Sequence, residues 1–238
     1  MIEKLRSRYW ARLEAQHRPG AWEDLNARYS DTRRAYHSWT HIADLLQKLD
    51  DLSYLATRRP IIATAIFWHD AVHLTQNADG SQRSNHENVK DSTELFQRYT
   101  LLEHPDADAV HDMIIATADH IEAKAKTEYY PGFSDDLDFF LDLDLSSLGA
   151  SWEKFVDNFT KIQFEFSWVP EPIFLSSQIE TLGNFARNDD RLYRRMETRS
   201  KWAASAKSNL TRFLTELVQA ETDIVQPARL DPKANSVT

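Results

Sequence analysis

The sequence predicts an all-α fold, and three observations carry that prediction. Apolar residues recur at spacings of three and four, no stretch sustains the period-two alternation of a half-buried strand, and 5 Gly and 8 Pro in 238 residues leave little material for a turn-rich β-protein. A chain that is 42% hydrophobic and 11% aromatic is globular in composition. At this length it should bury roughly 70% of the surface its unfolded form exposes, enough for one sizeable core. The expected organisation is a single multi-helix domain over residues 1–222, with a loose tail over 223–238 where apolar periodicity fades.

In chain order, breaks fall at Pro19-Gly20, over the polar stretch Gln76 to Ser84, at His104-Pro105, at Tyr130-Pro131-Gly132, over Val169 to Pro172 and near Asn188 to Asp190. These divide the chain into about eight to ten helices. Ser134 before Asp135-Asp136, and Ser151 with Lys154 three residues on, have the chemistry of helix N-caps. No internal repeat or low-complexity tract interrupts the pattern.

The formal charge of −9 argues against a nucleic-acid partner, because phosphate-backbone binding draws on clustered cations. The absence of cysteine excludes disulfides, thiolate catalysis and Cys-ligated metal, so any metal must be held by His, Asp or Glu. The N-terminus MIEKLRSRYW carries charges where a signal peptide has its apolar stretch, and the longest apolar run is far short of about 18 residues. A cytoplasmic chain without membrane contact is expected.

An ionisable side chain on the buried face of a helix must be paired, hydrogen-bonded or bound to metal. Four segments place one there. The stripe Ile62, Ala65, Ile66 continues at plus three and plus four into His69 and Asp70. His41 stands one turn before Leu45 and two before Leu49. Asp144 belongs with Leu137, Leu141 and Leu148, whereas Asp142 is rotated about 160° away, because two residues advance a helix by roughly 200°. His120 follows Met113 by seven and Thr117 by three. A lone histidine on an apolar face is more often a hydrogen-bonded core residue. Several histidines and carboxylates facing inward from different helices instead form the nitrogen and oxygen shell that Mn²⁺, Fe²⁺, Co²⁺, Ni²⁺ or Zn²⁺ accepts. Helical phase assigns Asp144 to that shell, and leaves Asp142 to cap a helix, pair with a cation or meet solvent.

The spaced pattern His41, His69-Asp70, Asp144 resembles that of the HD-domain superfamily of metal-dependent phosphohydrolases. The closer resemblance is to its predicted metal-dependent phosphohydrolase subfamily, through Arg34, Tyr36 and His37 ahead of His41, Trp68-His69-Asp70, Thr117 with His120, and the run Phe140 to Gly149. It spans about residues 29–220. The chain departs from the pattern at Asn88-Val89-Lys90-Asp91 after His86-Glu87, at Ser177-Gln178, and at Gln163-Phe164-Glu165-Phe166.

The resemblance implies a divalent transition metal held by His41, His69, Asp70 and Asp144, with hydrolysis of a small phosphorylated metabolite, nucleotides first, by metal-activated water. Arg34 is the expected phosphate grip because guanidinium offers fixed bidentate donors. Glu87 is a base or water-orienting group, and His37 and His120 are substrate contacts or support the ligands; His73 is assigned a structural role. Two alternatives stay open: a di-iron oxygenase on the same scaffold, for which His120 is the obvious extra ligand, and a non-catalytic binding protein whose helices the metal staples. A homodimer is compatible with either.

Overall fold

The computed structural model describes residues 1–225, and among these every regular element is helical. The first helices are α1 (Ile2–Arg8), α2 (Ala21–Tyr29), α3 (Trp39–Asp51), α4 (Arg59–Trp68) and α5 (Asn85–Tyr99). They are followed by α6 (Asp106–Ala116), α7 (Phe133–Asp144), α8 (Trp152–Glu165), α9 (Glu171–Arg187) and α10 (Met196–Val225). Residues 223–225, expected in the tail, still belong to α10, and the rest of that expected segment, 226–238, lies outside the described residues. No helix among the described residues is long and apolar enough to cross a membrane.

The hub is α4. Every residue from Ile61 to Trp68 is buried, and the helix packs against α3, α5, α6 and α7. A helix apolar all round is stable only when wrapped, and each Ile or Phe fully removed from water contributes about 1.5–3 kcal/mol. Trp10 and Trp39 pack on Phe67 and Trp22 packs against both tryptophans, so the aromatic residues are core residues there.

The caps differ in part from the expected ones. Ser151 does cap α8, accepting from the Lys154 N–H. Helix α7, however, starts at Phe133 behind Gly132, whose φ of +90° is a left-handed conformation that glycine adopts without steric cost. Its first N–H groups go to the Glu128 carboxylate, which accepts from Gly132, Phe133 and Ser134. A carboxylate arriving from the preceding loop therefore replaces the serine as cap.

Helix α7 also organises its neighbours. Buried Asp136 accepts the N–H groups of Thr57 and Arg58, both at 2.7 Å, and the Tyr130 hydroxyl at 2.9 Å, which fastens the start of α4. Asp142, fully buried, accepts the N–H groups of Arg194 at 2.8 Å and Arg195 at 2.9 Å together with the Thr198 hydroxyl, which fastens the start of α10. Such orphan donors at helix N-termini need acceptors wherever water is excluded.

Candidate metal centre

Two helices end short of the sequence reading, and both ends lie at the centre. The stripe of α4 reads on through Asp70, yet the α-helix stops at Trp68; His69 is its C-cap and Asp70 stands in the following turn. Likewise α6 stops at Ala116, and His120 sits in a turn four residues beyond. Asp144 is the last residue of α7, and His41 lies in the first turn of α3, behind the Ser38 cap. The carbonyl-rich C-terminal ends of α4 and α7 thus meet here, and partial negative charge at such ends favours a cation.

The free carbonyls of the α4 terminus have defined partners. Phe67 O accepts the Tyr29 hydroxyl at 2.9 Å, Asp70 O accepts the Arg34 guanidinium at 2.5 Å, and a second arm of that guanidinium reaches Ala71 O at 3.4 Å. Arg34 also stacks over the Tyr29 ring, 4.6 Å from its centroid, and is buried. Two of its nitrogens are thus engaged by main-chain carbonyls, where they hold the His69-Asp70 turn in place, while Nε is buried without a partner.

Inside this frame the donor atoms converge. His69 Nδ1 bonds Ile66 O at 2.9 Å, which turns its Nε2 toward the other groups. His69 Nε2 lies 3.3 Å from His41 Nε2, 3.1 Å from Asp70 Oδ2 and 3.5 Å from Asp144 Oδ1. His41 Nε2 is 3.2 Å from Asp144 Oδ1 and 3.6 Å from Asp70 Oδ2. His120 Nε2 takes the other Asp144 oxygen at 2.8 Å. His41, His69 and Asp70 could hold a metal ion, and Asp144 adds an oxygen within reach of both imidazoles. Two imidazole nitrogens and two carboxylate oxygens are a donor set that divalent transition ions accept.

The electrostatics follow from this crowding. Burial lowers the His69 pKa, but the Asp70 and Asp144 carboxylates outweigh it and hold the imidazole well above its ordinary value. Burial raises both carboxyls, yet the facing imidazoles, His69 foremost, leave Asp70 and Asp144 well below theirs.

A second group adjoins the first across Asp70. The rings of His37 and His73 stack at 3.6 Å between centroids, and Glu165, the last residue of α8, takes His37 Nδ1 at 2.6 Å. The other Glu165 oxygen accepts the N–H groups of Tyr36 at 2.7 Å and His37 at 2.9 Å. Burial, reinforced by repulsion from His37, pushes the His73 pKa down to about 4. Burial raises Glu165, but His37 and His73 hold it below the ordinary carboxylate range.

Glu87 is not brought to either group. Its carboxylate accepts the Ser84 N–H at 2.8 Å and the Ser84 hydroxyl at 2.7 Å, while the Ser84 oxygen accepts the Glu87 N–H. This is a complete capping box at the start of α5, exposed to solvent, so Glu87 is a cap rather than a base. Asp142 is turned away from the centre, as its helical phase requires, and caps α10 instead of meeting solvent.

His73, expected to be structural, and Glu165, expected only as part of a departure from the family pattern, were not placed in a site by sequence reasoning. A signal for Glu165 was available, since it follows Ile162 by three on the Phe155, Phe159, Ile162 stripe. His73 stands one turn beyond His69 by spacing, but the helix that spacing presupposes ends at Trp68. Comparison of the chain with protein-family models, curated proteins and solved structures returned no match.

Proposed function

We propose that this protein is a metal-dependent phosphohydrolase acting on a small phosphorylated metabolite, with nucleotides as the first class to test. The observation that carries the reading is the convergence of His41, His69 and Asp70 with Asp144 Oδ1, with His69 oriented by its Nδ1 bond to Ile66 O. A divalent ion in that shell supplies an activated water and polarises a phosphoryl oxygen.

The chain's own residues have separable tasks in this reading. His41, His69, Asp70 and Asp144 are the ligands. Arg34 fixes the turn that presents two of them, and His120 orients Asp144 through its second oxygen. Beside His41 opens a small cavity of about 90 Å³, lined also by Tyr36, Lys154, Asn158 and Lys161. Two lysines at the mouth of a site suit an anionic substrate, although both also reach Asp157 at 3.1 and 2.7 Å. His37 is a further candidate for substrate contact.

Protein loaded with Mn²⁺, Co²⁺ or Ni²⁺ and assayed against nucleotides, sugar phosphates and an aryl phosphate should show turnover that Asp70→Ala abolishes. No turnover with intact metal content would favour a non-catalytic protein whose helices the ion staples together.

A further inference from the structure

We infer that His37, His73 and Glu165 form a second divalent-cation site that shares Asp70 with the first, so that the protein holds a pair of ions. This deepens the metal part of the proposed function and rests on it through that shared carboxylate. An imidazole nitrogen from each of His37 and His73 and a carboxylate oxygen of Asp70 lie within 4.8 Å of one another, the same closeness that His41, His69 and Asp70 show. Glu165 supplies the fourth donor, with Oε2 at 2.6 Å from His37 Nδ1 and 3.4 Å from His73 Nε2.

The independent observation is His73 Nε2. It is buried and has no hydrogen-bond partner, because its 3.4 Å approach to Glu165 lacks hydrogen-bonding geometry. A buried imidazole nitrogen left unpaired costs about 1–3 kcal/mol, which makes an orphan of this kind a feature that needs a partner. An acceptor lone pair beside a carboxylate and a second imidazole is matched by a cation.

Support for Glu165 comes from the main chain. Its Oε1 is fixed by the N–H groups of Tyr36 and His37, which leaves Oε2 facing the histidines in one orientation, as metal-ligating carboxylates are commonly held. An access route exists too: His73 and Glu165 line a cavity of about 310 Å³ together with Arg34, Thr75, Gln76 and Trp168. Oxygen and nitrogen donors without sulfur suit Mn²⁺, Fe²⁺ or Co²⁺.

The test is to strip the full-length protein with a chelator, titrate it with Mn²⁺ alone, and count bound ions by elemental analysis while recording the electron paramagnetic resonance spectrum. The expected result is about two ions per chain with a spin-coupled spectrum, falling to about one uncoupled ion in His73→Ala and in Glu165→Gln, with the second ion bound at least roughly 10-fold more weakly. Circular dichroism establishes that each variant is folded. Should His73→Ala fail to fold, Glu165→Gln decides, since its amide oxygen can still accept from Tyr36 and His37. A wild type that saturates at one ion, lost in His69→Ala and kept in both other variants, overturns the second site and leaves the first standing. Binding of no ion overturns both, and a second ion that survives both variants places that site elsewhere.

Discussion

His17 and His69 are both buried, and both bond a main-chain carbonyl through Nδ1 at 2.9 Å, Leu13 O for one and Ile66 O for the other. They differ in what Nε2 meets. In His17 it accepts the indole N–H of Trp68 at 3.0 Å, so the imidazole is neutral and fully paired. In His69, the residue next to that tryptophan, Nε2 faces His41, Asp70 and Asp144. One histidine is a core residue and the other a ligand candidate, and the deciding factor is whether the second nitrogen meets a fixed donor or a set of donors that a cation can bring together. Asp142 and Asp144 repeat the contrast on a single helix. Asp142 is occupied by two backbone N–H groups and a hydroxyl, whereas the partners of Asp144 are three imidazoles.

The comparison is broken most directly by removing ligands. His69→Ala and Asp144→Asn should each weaken ion binding at the His41–His69 centre by about 10-fold or more, leaving at most the ion of the second site by elemental analysis of folded protein; full occupancy in both would place the centre elsewhere. Chelation tests the same site without mutation. An ion present at about 100 times its Kd stabilises the folded state by about 2.7 kcal/mol, so chelation should lower Tm more in the wild type than in Asp144→Asn.

Asp142→Asn should do the opposite of Asp144→Asn. Its amide group turns one accepting oxygen into a donor that meets the N–H of Arg194 or Arg195, which costs about 1–3 kcal/mol and a fall of several degrees in Tm. Metal content should be unchanged. Loss of metal here, with retention in Asp144→Asn, would reverse the assignment of the two carboxylates.

The smallest expected effect sharpens the histidine pair. Burial, only partly offset by the Leu13 carbonyl, lowers the His17 pKa below 6.5, so the folded chain binds this proton less readily than the unfolded chain. The stability this residue contributes is therefore present above 6.5 and lost as pH falls through the lowered folded value. Thermal melts between about pH 7.5 and about pH 5 should show a shallower loss of stability in His17→Gln than in the wild type. Equal slopes would mean that His17 is not held neutral.

The helical class, the six expected breaks and the inward phase of His41 and Asp144 were legible in the sequence, because they depend on the 3.6-residue period and on the turn chemistry of Pro, Gly and Asn, whereas His69 and Asp70 face inward from the cap and turn beyond α4. Asp142 could be separated from Asp144 for the same reason: a rotation of about 160° is a local property of one helix. Two assignments were decided only by the tertiary structure. Arg34 grips the carbonyls of Asp70 and Ala71, 36 and 37 residues on. Glu165 reaches His37 across 128 residues of chain. By contrast, the Glu128 cap of α7 and the Ser84–Glu87 capping box are local, each partner lying within six residues. Periodicity states which way a side chain points, but a guanidinium or a carboxylate takes whichever partners folding brings within about 3 Å. Those partners arrive from distant helix ends, whose unpaired N–H and C=O groups no local pattern records.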